Sequence, residues 1–488
     1  SATSLPNDND LSSPQDTAAE EESDLHPSRS KWSLPISVFF RDARHVFRMD
    51  ALGREILRIA FPAALALAAN RATSFVDTAF IHHLGPVEST AAKYSTFLFN
   101  QVVNIFTFPL TIVAASRVAK DKALTATTSI VAAILGILLP LALTYGAKTI
   151  FAFLGVRSAP IQTSAESYLR LRCIGAPAIL ISHAMQGVFL GFKDARTHFY
   201  ATVAGSLANI ALDPILIFFC KLGVRGVTVA HVSSRYLIFL ILLWRLTKKI
   251  YLLPPSVKDI DFRQFLKTGF LVLVRVIVLT TYLSFATFLV TRLGSTFTAV
   301  NEACLLVWTI ASFTANGLAV AGQVIITSGF AKKDYDKATV AVSRLLQMGV
   351  VLGLGLAVIV SVFLRFGTRL LSKDVNVQHH IFVGIPFVAA TQAISSLAFV
   401  SEGVTFGSLD FAYSAYSMVL VSIVTGGSLF LLYRSDGFVG IWGAFIIHMS
   451  LRTLAEWEVG LDLGAFLGSD FLHDVPQNFG VSCLIYTS

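Results

Sequence analysis

Long apolar runs, separated by short polar or charged links, fill the chain from about residue 56 to residue 458. We count twelve runs, at 56–81, 91–116, 125–146, 168–191, 198–220, 226–246, 265–291, 297–328, 338–364, 381–401, 411–433 and 438–458. A helix needs about 20 apolar residues to cross the hydrocarbon core of a bilayer. The pattern therefore predicts an all-α, polytopic membrane protein with twelve transmembrane helices.

The second half of the chain repeats short motifs of the first half. The pairs are Gly175-Ala176-Pro177 with Gly384-Ile385-Pro386, Gly187 to Asp194 with Gly403 to Asp410, Lys120-Asp121 with Lys333-Asp334, and Gly223 to Val227 with Gly437 to Ile441. An even number of spans per copy gives both copies the same membrane orientation, as in the parallel repeats of secondary transporters. We therefore expect two six-helix lobes related by a parallel repeat.

Charge and composition at the links predict the domain boundaries and the topology. Lys and Arg residues are concentrated in the N-terminal tail and in alternate links, which predicts that both termini are cytoplasmic. The tail is rich in Ser, Asp, Glu and Pro, a composition typical of disorder. The predicted boundaries are 1–48 for the disordered tail, 49–246 for the N-lobe, 247–264 for a cytoplasmic inter-lobe loop, 265–458 for the C-lobe and 459–488 for a C-terminal tail.

The composition excludes several other classes of protein. Hydrophobic residues make up 54% of the chain and charged residues only 14%, against about 25% charged residues in soluble domains. The four cysteines lack zinc-ligand or disulfide spacing, and no phosphate-binding loop or hydrolase motif occurs. We expect no enzyme, no metal or other cofactor and no nucleic-acid partner. The expected partners are the lipid bilayer and a small substrate, bound by a monomer.

Polar residues inside the apolar runs are the candidate functional residues, because a charge at the bilayer centre costs roughly 2.5–3.5 kcal/mol. Span 1 carries Asn70, Thr73, Ser74 and Asp77. At 100° per residue these positions form one stripe. The stripe is predicted to face the interior of the lobe.

Span 5 carries a second polar group, Asn209 and Asp213 at i and i+4, followed directly by Pro214. A carboxylate, an amide and a backbone loosened by proline suit a proton or sodium site. Gln186 in span 4 and His231 in span 6 are candidates to complete this ion-coupling site together with the span 1 carboxylate. The alternatives are that Asp213 only stabilises the proline kink and that His231 is a packing residue.

The C-terminal half places a guanidinium, Arg275, near the middle of span 7. A fork with five donors suits a carboxylate-bearing substrate. An ion pair with Glu302 or Glu402 is an equally good interpretation. Three further candidates for substrate binding are Tyr282, Asn316 and Gln323, although intramembrane amides also join helices to one another.

Several motifs resemble the multidrug and toxic compound extrusion (MATE) family, in its plant citrate-exporter branch. They are Leu52 to Ala68, Val76 to Ile81, Leu84 to Glu88, Gly187 to Asp194, Leu207 to Pro214, Leu318 to Gln323 and Phe330 to Ala338. Within about residues 50–455, the chain departs from the branch at Asn70-Arg71, where Asp-Pro is usual, and at Asn316, where Asp is usual.

The resemblance implies a V-shaped pair of six-helix bundles that exports its substrate by alternating access in exchange for protons or sodium. It also implies an N-lobe ion site at the residues chosen above and a basic residue in span 7, where Arg275 stands. The leading expectation is export of an organic acid anion, citrate first, across the plasma membrane, with plastid envelope and vacuole open. The alternatives are an exporter of cationic or neutral metabolites and a non-transporting receptor or scaffold.

Overall fold

A computed structural model describes residues 50–82, 86–120, 124–153, 159–249 and 262–467, and every regular element in these ranges is a helix. The helices are α1 (Ala51–His82), α2 (Pro86–Lys120), α3 (Leu124–Phe153), α4 (Ala159–Cys173), α5 (Ala176–Gly191), α6 (Ala195–Pro214), α7 (Val224–Thr247), α8 (Phe262–Arg292), α9 (Ser295–Ala331), α10 (Tyr335–Leu371), α11 (Val375–Gly407) and α12 (Phe411–Leu467). The all-α prediction is confirmed. The predicted tail 1–48, most of the inter-lobe loop and residues 468–488 lie outside the described residues.

The described helices supply ten candidate crossings by length and composition, or eleven with a bent pair, and a kink divides the last of them into two parts. The bent pair is formed by α4 and α5. The apolar segment Phe411–Glu456 of α12 is broken at Gly437, whose φ of 56° and ψ of −120° are not helical. The two parts are roughly 39 and 28 Å long at 1.5 Å per residue, and each is long enough to cross. Gly223, with a φ of 55°, precedes α7 at the equivalent point of the first repeat.

Span 4 differs from the single continuous helix that the sequence predicts. It is divided into α4 and α5, whose axes differ by 45°. Pro177 lies in the first turn of α5, where its missing N–H removes no helical hydrogen bond. The equivalent Pro386 lies inside the uninterrupted helix α11. The shared Gly-x-Pro motif therefore breaks the helix in one repeat only.

Three short links share one backbone geometry, which supports the internal repeat. Lys193, Lys333 and Leu409 have φ angles of 61°, 57° and 66°. In each link the aspartate that follows caps the next helix by accepting a hydrogen bond from a backbone N–H three residues on, as N-cap residues commonly do. The links 192–194 and 408–410 belong to one of the repeated motif pairs.

The two lobes, α1 to α7 and α8 to α12, contact each other through α1 with α9 and α2 with α8. We call the end of the bundle at which α1 begins the proximal end, and the opposite end the distal end. A Cβ added at Gly317 of α9 would lie 2.4 Å from the carbonyl oxygen of Ala60, so only glycine permits this approach. An apolar cluster also joins the lobes, through Leu110, Val113, Val131, Ala132, Leu180 and Ala184 on one side and Phe265, Val272, Phe406 and Phe411 on the other. All these contacts lie in the proximal half of the bundle.

Substitution of Gly403 by Ala is expected to destabilise the C-lobe by about 1–3 kcal/mol, the usual cost of overpacking. A Cβ at this position of α11 would lie 2.2 Å from the carbonyl oxygen of Ala319, and neither backbone can move cheaply. Thermal unfolding of the purified protein in detergent measures the effect. The control is Gly426→Ala, because a Cβ at Gly426 meets no atom within 4 Å. Equal melting temperatures of the two variants would contradict the close packing of α9 and α11.

Candidate functional site

The N-lobe buries two aspartates that are bridged by one amide. The side-chain amide nitrogen of Asn209 donates to Asp77 Oδ1 at 2.6 Å and to Asp213 Oδ2 at 3.2 Å. Asp77 lies on α1, and the other two residues lie one turn apart on α6. Asn209 and Asp213 are fully buried, and Asp77 is 5% exposed. The structure thus brings together the polar groups that the sequence placed on spans 1 and 5.

Helix α7 completes this cluster. The hydroxyl of Ser234 lies within hydrogen-bond distance of two acceptors, the carbonyl oxygen of His231 at 2.7 Å and Asn209 Oδ1 at 3.2 Å. His231 Nδ1 lies 3.4 Å from Asp77 Oδ2. Because ionised carboxylates can only accept hydrogen bonds, the nitrogen of Asn209 points toward them and its oxygen toward Ser234.

Asp213 Oδ1 has no hydrogen-bond partner among the described residues, and His231 Nδ1 makes only the 3.4 Å contact with Asp77 Oδ2. Directly after Asp213, the backbone of α6 passes through Pro214 into a π-helical turn, Ile215–Phe219. Such turns are frequent at functional sites. Buried acceptor oxygens beside an irregular backbone give this region the chemistry to hold a proton or a small cation.

The other polar residues that the sequence proposed for the N-lobe do not all contribute to this cluster. Gln186 is buried on α5 but makes none of these hydrogen bonds. On the span 1 stripe, Thr73 is buried, whereas Ser74 is exposed.

Sequence reasoning missed two arginines beside the cluster. Arg235 of α7 points its Nε at His231 Nε2, 3.4 Å away, and donates to Asn70 Oδ1 at 3.3 Å. Arg172 of α4 is 4% exposed, and its Nη1 has no hydrogen-bond partner among the described residues. The i, i+4 spacing of His231 and Arg235 was a usable signal, while Arg172 stood too near the start of its span to be separated from the link charges.

In the C-lobe, Arg275 is held by two acids. Its Nε donates to Glu402 Oε1 at 3.0 Å, its Nη2 pairs with Glu456, and its Nη1 donates to the backbone and side-chain oxygens of Ser414 at 2.9 and 2.7 Å. Arg275 is 2% exposed. The candidate Glu302 is exposed instead. Of the two acids considered from the sequence, Glu402 is the one that pairs with Arg275.

A second arginine closes this group into a cluster of four charges. Arg452 Nη2 lies 2.5 Å from Glu402 Oε2, and Arg452 Nε lies 3.8 Å from Glu456 Oε1. We call Arg275, Arg452, Glu402 and Glu456 the C-lobe charge cluster. Its formal charge is zero when all four groups are ionised. Neither Arg452 nor Glu456 was identified from the sequence, because both lie at the C-terminal edge of the last apolar run.

Tyr282 lies one heptad beyond Arg275 on α8 and is 4% exposed. Its hydroxyl donates to the carbonyl oxygen of Ala444 at 3.3 Å, and its ring stacks on His448 with 4.0 Å between centroids. His448 Nδ1 in turn lies 2.9 Å from Thr425 Oγ1. Tyr282 is therefore part of the packing between α8 and α12 in this conformation.

The comparisons with known proteins agree with this architecture. A family model described as MatE matches residues 62–215 and 272–428. Protein DETOXIFICATION 42 of Arabidopsis thaliana is 42% identical over 494 residues, which cover 88% of this chain and 96% of that protein. The chain belongs to the MatE family. Protein DETOXIFICATION 43 of the same plant is 42% identical, over 87% of this chain and 93% of its own length.

Solved structures of MATE transporters share the fold of this MatE protein. A MOP superfamily transporter from Pyrococcus furiosus superposes with a TM-score of 0.78 at 18% identity and covers 88% of this chain and 99% of its own. A multidrug resistance MATE transporter in an outward-facing conformation gives 0.77, also at 18% identity, with 87% and 98% covered. The predicted family is confirmed, and with it a multi-pass efflux transporter rather than an enzyme.

Gln323 and Asn316 occupy different surroundings in this MatE fold. The side-chain nitrogen of Gln323 crosses to the other lobe, where it donates to the carbonyl oxygen of Ile112 at 2.9 Å and to Ser116 Oγ at 2.6 Å. Asn316 donates to the carbonyl oxygen of Ser312 in its own helix, at 2.9 Å. Gln323 thus connects α9 to α2 in the proximal half of the bundle.

Ion pairs close the proximal end between the two lobes of the MatE chain. Arg344 Nη1 of α10 lies 2.6 Å from Asp50 Oδ1, just before α1. Glu55 of α1 pairs with Lys337 of α10 at 2.8 Å and with Lys193 of its own lobe at 2.5 Å. The contacts between the lobes made by Gln323, Arg344 and Glu55 all lie in this proximal half.

Two carboxylates at equivalent positions of the MatE repeat titrate differently. Partial burial by itself would raise the pKa of Asp194, but hydrogen bonds from Lys249 and Thr197 lower this pKa below its ordinary value. At Asp410, burial raises the pKa, against a smaller lowering by the N–H of Tyr413. As the pH falls, Asp410 therefore takes up a proton before Asp194 does.

Proposed function

We propose that this MatE protein exports an organic acid anion, with citrate as the first candidate, by alternating access coupled to inward flow of protons or sodium ions. One observation carries the proposal. Asp77 and Asp213 are both buried in the N-lobe and share a single amide, Asn209. Two carboxylates so close together and shielded from water favour binding of a proton or cation, because two bare charges there would repel each other.

The charges inside the helices support an anionic substrate. Arg172 and Arg235 lie beside the N-lobe cluster, and the Nη1 of Arg172 has no hydrogen-bond partner among the described residues. Glu402 and Glu456 are each paired with arginine, so the C-lobe charge cluster offers no unneutralised acid to a cationic substrate. We assign the acids of the N-lobe cluster to the coupling ion. Guanidinium groups also recognise carboxylates through paired hydrogen bonds. The exporter of cationic metabolites is therefore the weaker alternative.

The distribution of contacts between the lobes supports alternating access. The hydrogen bonds of Gln323 and the ion pairs of Lys337 and Arg344 join the lobes in the proximal half. The ion pairs there are partly exposed to water, with 43% of the Asp50 side chain accessible. Such pairs contribute about 1 kcal/mol or less, so they can break within a transport cycle. The conformation described is the one with the proximal end closed.

Reversing one charge of the proximal closure is expected to shift this conformational equilibrium. Arg344→Glu places a second carboxylate beside Asp50, and we expect a roughly fivefold loss of the closed state, because about 1 kcal/mol is lost. Maleimide labelling of a Ser116→Cys reporter in the lobe interface should become faster. The double variant Asp50→Arg/Arg344→Glu should restore the slow labelling.

Lys332→Glu is the matched control for this experiment, because Lys332 lies exposed at the same end. It should leave the labelling rate unchanged. A double variant that labels as fast as Arg344→Glu would contradict the role of this ion pair in closing the proximal end.

Flux through proteoliposomes tests the proposed function itself. Vesicles containing the purified protein and labelled citrate should lose the label several times faster under an inward proton gradient, or under an inward sodium gradient, than under neither. Tetraphenylphosphonium should not compete with citrate. Gradient-driven flux of the lipophilic cation without flux of citrate would overturn the anion assignment, and no gradient-dependent flux of either would overturn the proposed transport.

We also propose the plasma membrane as the site of action. Two of the similar Arabidopsis proteins, DETOXIFICATION 44 and 45, are named as chloroplastic, so the membrane has to be determined for each member. A fluorescent fusion compared with plasma-membrane, plastid and vacuolar markers in plant cells tests this proposal. Fluorescence confined to the plastid envelope or the vacuolar membrane would contradict it.

A further inference from the structure

A groove of about 980 Å³ lies on the outside of the N-lobe at the proximal end, between the start of α1 and the start of α6. Its lining includes four basic residues, Arg54, Arg58, Lys193 and Arg196. The three arginines are exposed. None of them makes an ion pair or a side-chain hydrogen bond among the described residues, whereas elsewhere at this end the basic side chains Lys249, Lys337 and Arg344 each pair with an acid.

The carboxylate that lines the groove already forms ion pairs with two lysines. Glu55 pairs with Lys193 at 2.5 Å and, across the lobe interface, with Lys337 at 2.8 Å. The groove therefore presents the positive charge of Arg54, Arg58 and Arg196 without a compensating carboxylate. Three guanidiniums close together repel one another, and an anion between them relieves that repulsion.

Along α1 the lining of the groove changes from basic to apolar, as a phospholipid changes from its charged headgroup to its acyl chains. Arg54, Leu57, Arg58 and Phe61 are spaced at i, i+3, i+4 and i+7 and so share one face of the helix. The two arginines lie in the first two turns of the span, where long basic side chains reach the headgroup layer. Leu57, between the two arginines, is 39% exposed, and Phe61, about one turn deeper than Arg58, is 64% exposed, as suits contact with acyl chains.

We propose that this groove binds an anionic phospholipid with a phosphomonoester headgroup, the phosphate held by Arg54, Arg58 and Arg196 and the acyl chains lying along Leu57 and Phe61. Basic pockets between helices at the membrane surface recognise such headgroups. The positive-inside rule accounts for basic residues at this end of the bundle, but it does not require three unpaired arginines in one groove above an exposed apolar strip.

The bound lipid has a direct route to the transport cycle. Lys193 lines the groove and also pairs with Glu55, which itself pairs with Lys337 of the opposite lobe. A phosphate that attracts Lys193 leaves Glu55 to the C-lobe lysine alone. The lipid is therefore expected to alter the stability of the proximal closure.

Lipid binding to the purified full chain in detergent tests the site. We would titrate phosphatidic acid, phosphatidylcholine of the same acyl composition and inorganic phosphate, and follow bound lipid by native mass spectrometry. Phosphatidic acid should bind the wild-type protein, and the triple variant Arg54→Gln/Arg58→Gln/Arg196→Gln should bind it on the order of 100-fold more weakly, since each basic residue near a charged lipid surface contributes roughly a factor of five.

The matched control is Lys267→Gln/Lys332→Gln/Lys333→Gln, which removes the same charge from exposed residues of the C-lobe at the same end. It should keep wild-type affinity. If both triple variants lose affinity equally, the attraction comes from general charge and the site is overturned. Equal binding of phosphatidylcholine, or displacement of the lipid by millimolar phosphate, would also overturn it. All the substituted residues are exposed, and a melting curve confirms that each variant is folded.

Discussion

Replacing Arg275 by Met is expected to destabilise the protein by about 3–5 kcal/mol, the usual cost of removing one partner from a buried ion pair. The change leaves Glu402 and Glu456 with Arg452 as their remaining cation in the C-lobe charge cluster. Ser414 also loses both of its hydrogen bonds from Arg275. Thermal unfolding in detergent and the yield of monodisperse protein are the measurements.

Two further variants make this prediction specific. Arg292→Met alters an exposed arginine of the same helix and should melt like the wild type. The double variant Arg275→Met/Glu456→Gln removes one charge of each sign, leaves the pair of Arg452 and Glu402, and should recover much of the lost stability. If Arg275→Met melts like Arg292→Met and loses only citrate flux, Arg275 binds substrate and the cluster is not a structural support.

Replacing Asp77 by Asn is expected to abolish the stimulation of flux by the ion gradient. The amide has the shape of the carboxylate and can still accept the hydrogen bond from Asn209, so we expect the fold to survive. It carries no charge, however, and cannot take up a proton or neutralise a sodium ion. With its first carboxylate gone, the N-lobe cluster retains only Asp213 as an acid.

Efflux of labelled citrate at a series of external pH values measures this effect. We expect at least a tenfold loss of the gradient-dependent component, with residual efflux that no longer responds to external pH. Asp336→Asn, an exposed aspartate in the first turn of α10, is the control and should behave as the wild type. A pH response of Asp77→Asn equal to that of the control would exclude Asp77 from coupling.

The residues of the N-lobe cluster were largely predictable from the sequence, because their choice depends on spacing and polarity within single helices. Asn209 and Asp213 share a helix face by spacing alone, and a carboxylate in span 1 needs a polar neighbour in hydrocarbon. What spacing could not provide is the pairing of α1, α6 and α7, which brings Asp77 to 2.6 Å from the Asn209 amide. Gln186 shows the limit of this reasoning, since it is buried on α5 but lies outside the hydrogen-bonded cluster.

The C-lobe was predictable only in part. The sequence identified Arg275 as an intramembrane charge and Glu402 as one possible partner. It did not identify Glu456 and Arg452, which lie at the edge of the last apolar run and resemble residues of a helix end. Gln323 was a candidate for substrate binding, yet in this conformation it joins the two lobes at Ser116. Arg275 and Gln323 were identified because burying a charged or amide side chain in hydrocarbon costs free energy. Their partners could not be identified in this way, because they lie on helices that are distant in sequence.

By itself the sequence determined the all-α membrane architecture, the internal repeat and the positions at which polar groups enter the membrane. These follow from periodicity and from the cost of polar groups in hydrocarbon, which act within one helix. Only the tertiary structure decided which charges neutralise one another, where span 4 breaks and which ends of the lobes touch. A helical period fixes the face on which a side chain lies, whereas the packing of whole helices, with partners as far apart in sequence as Arg275 and Glu456, fixes what that face meets.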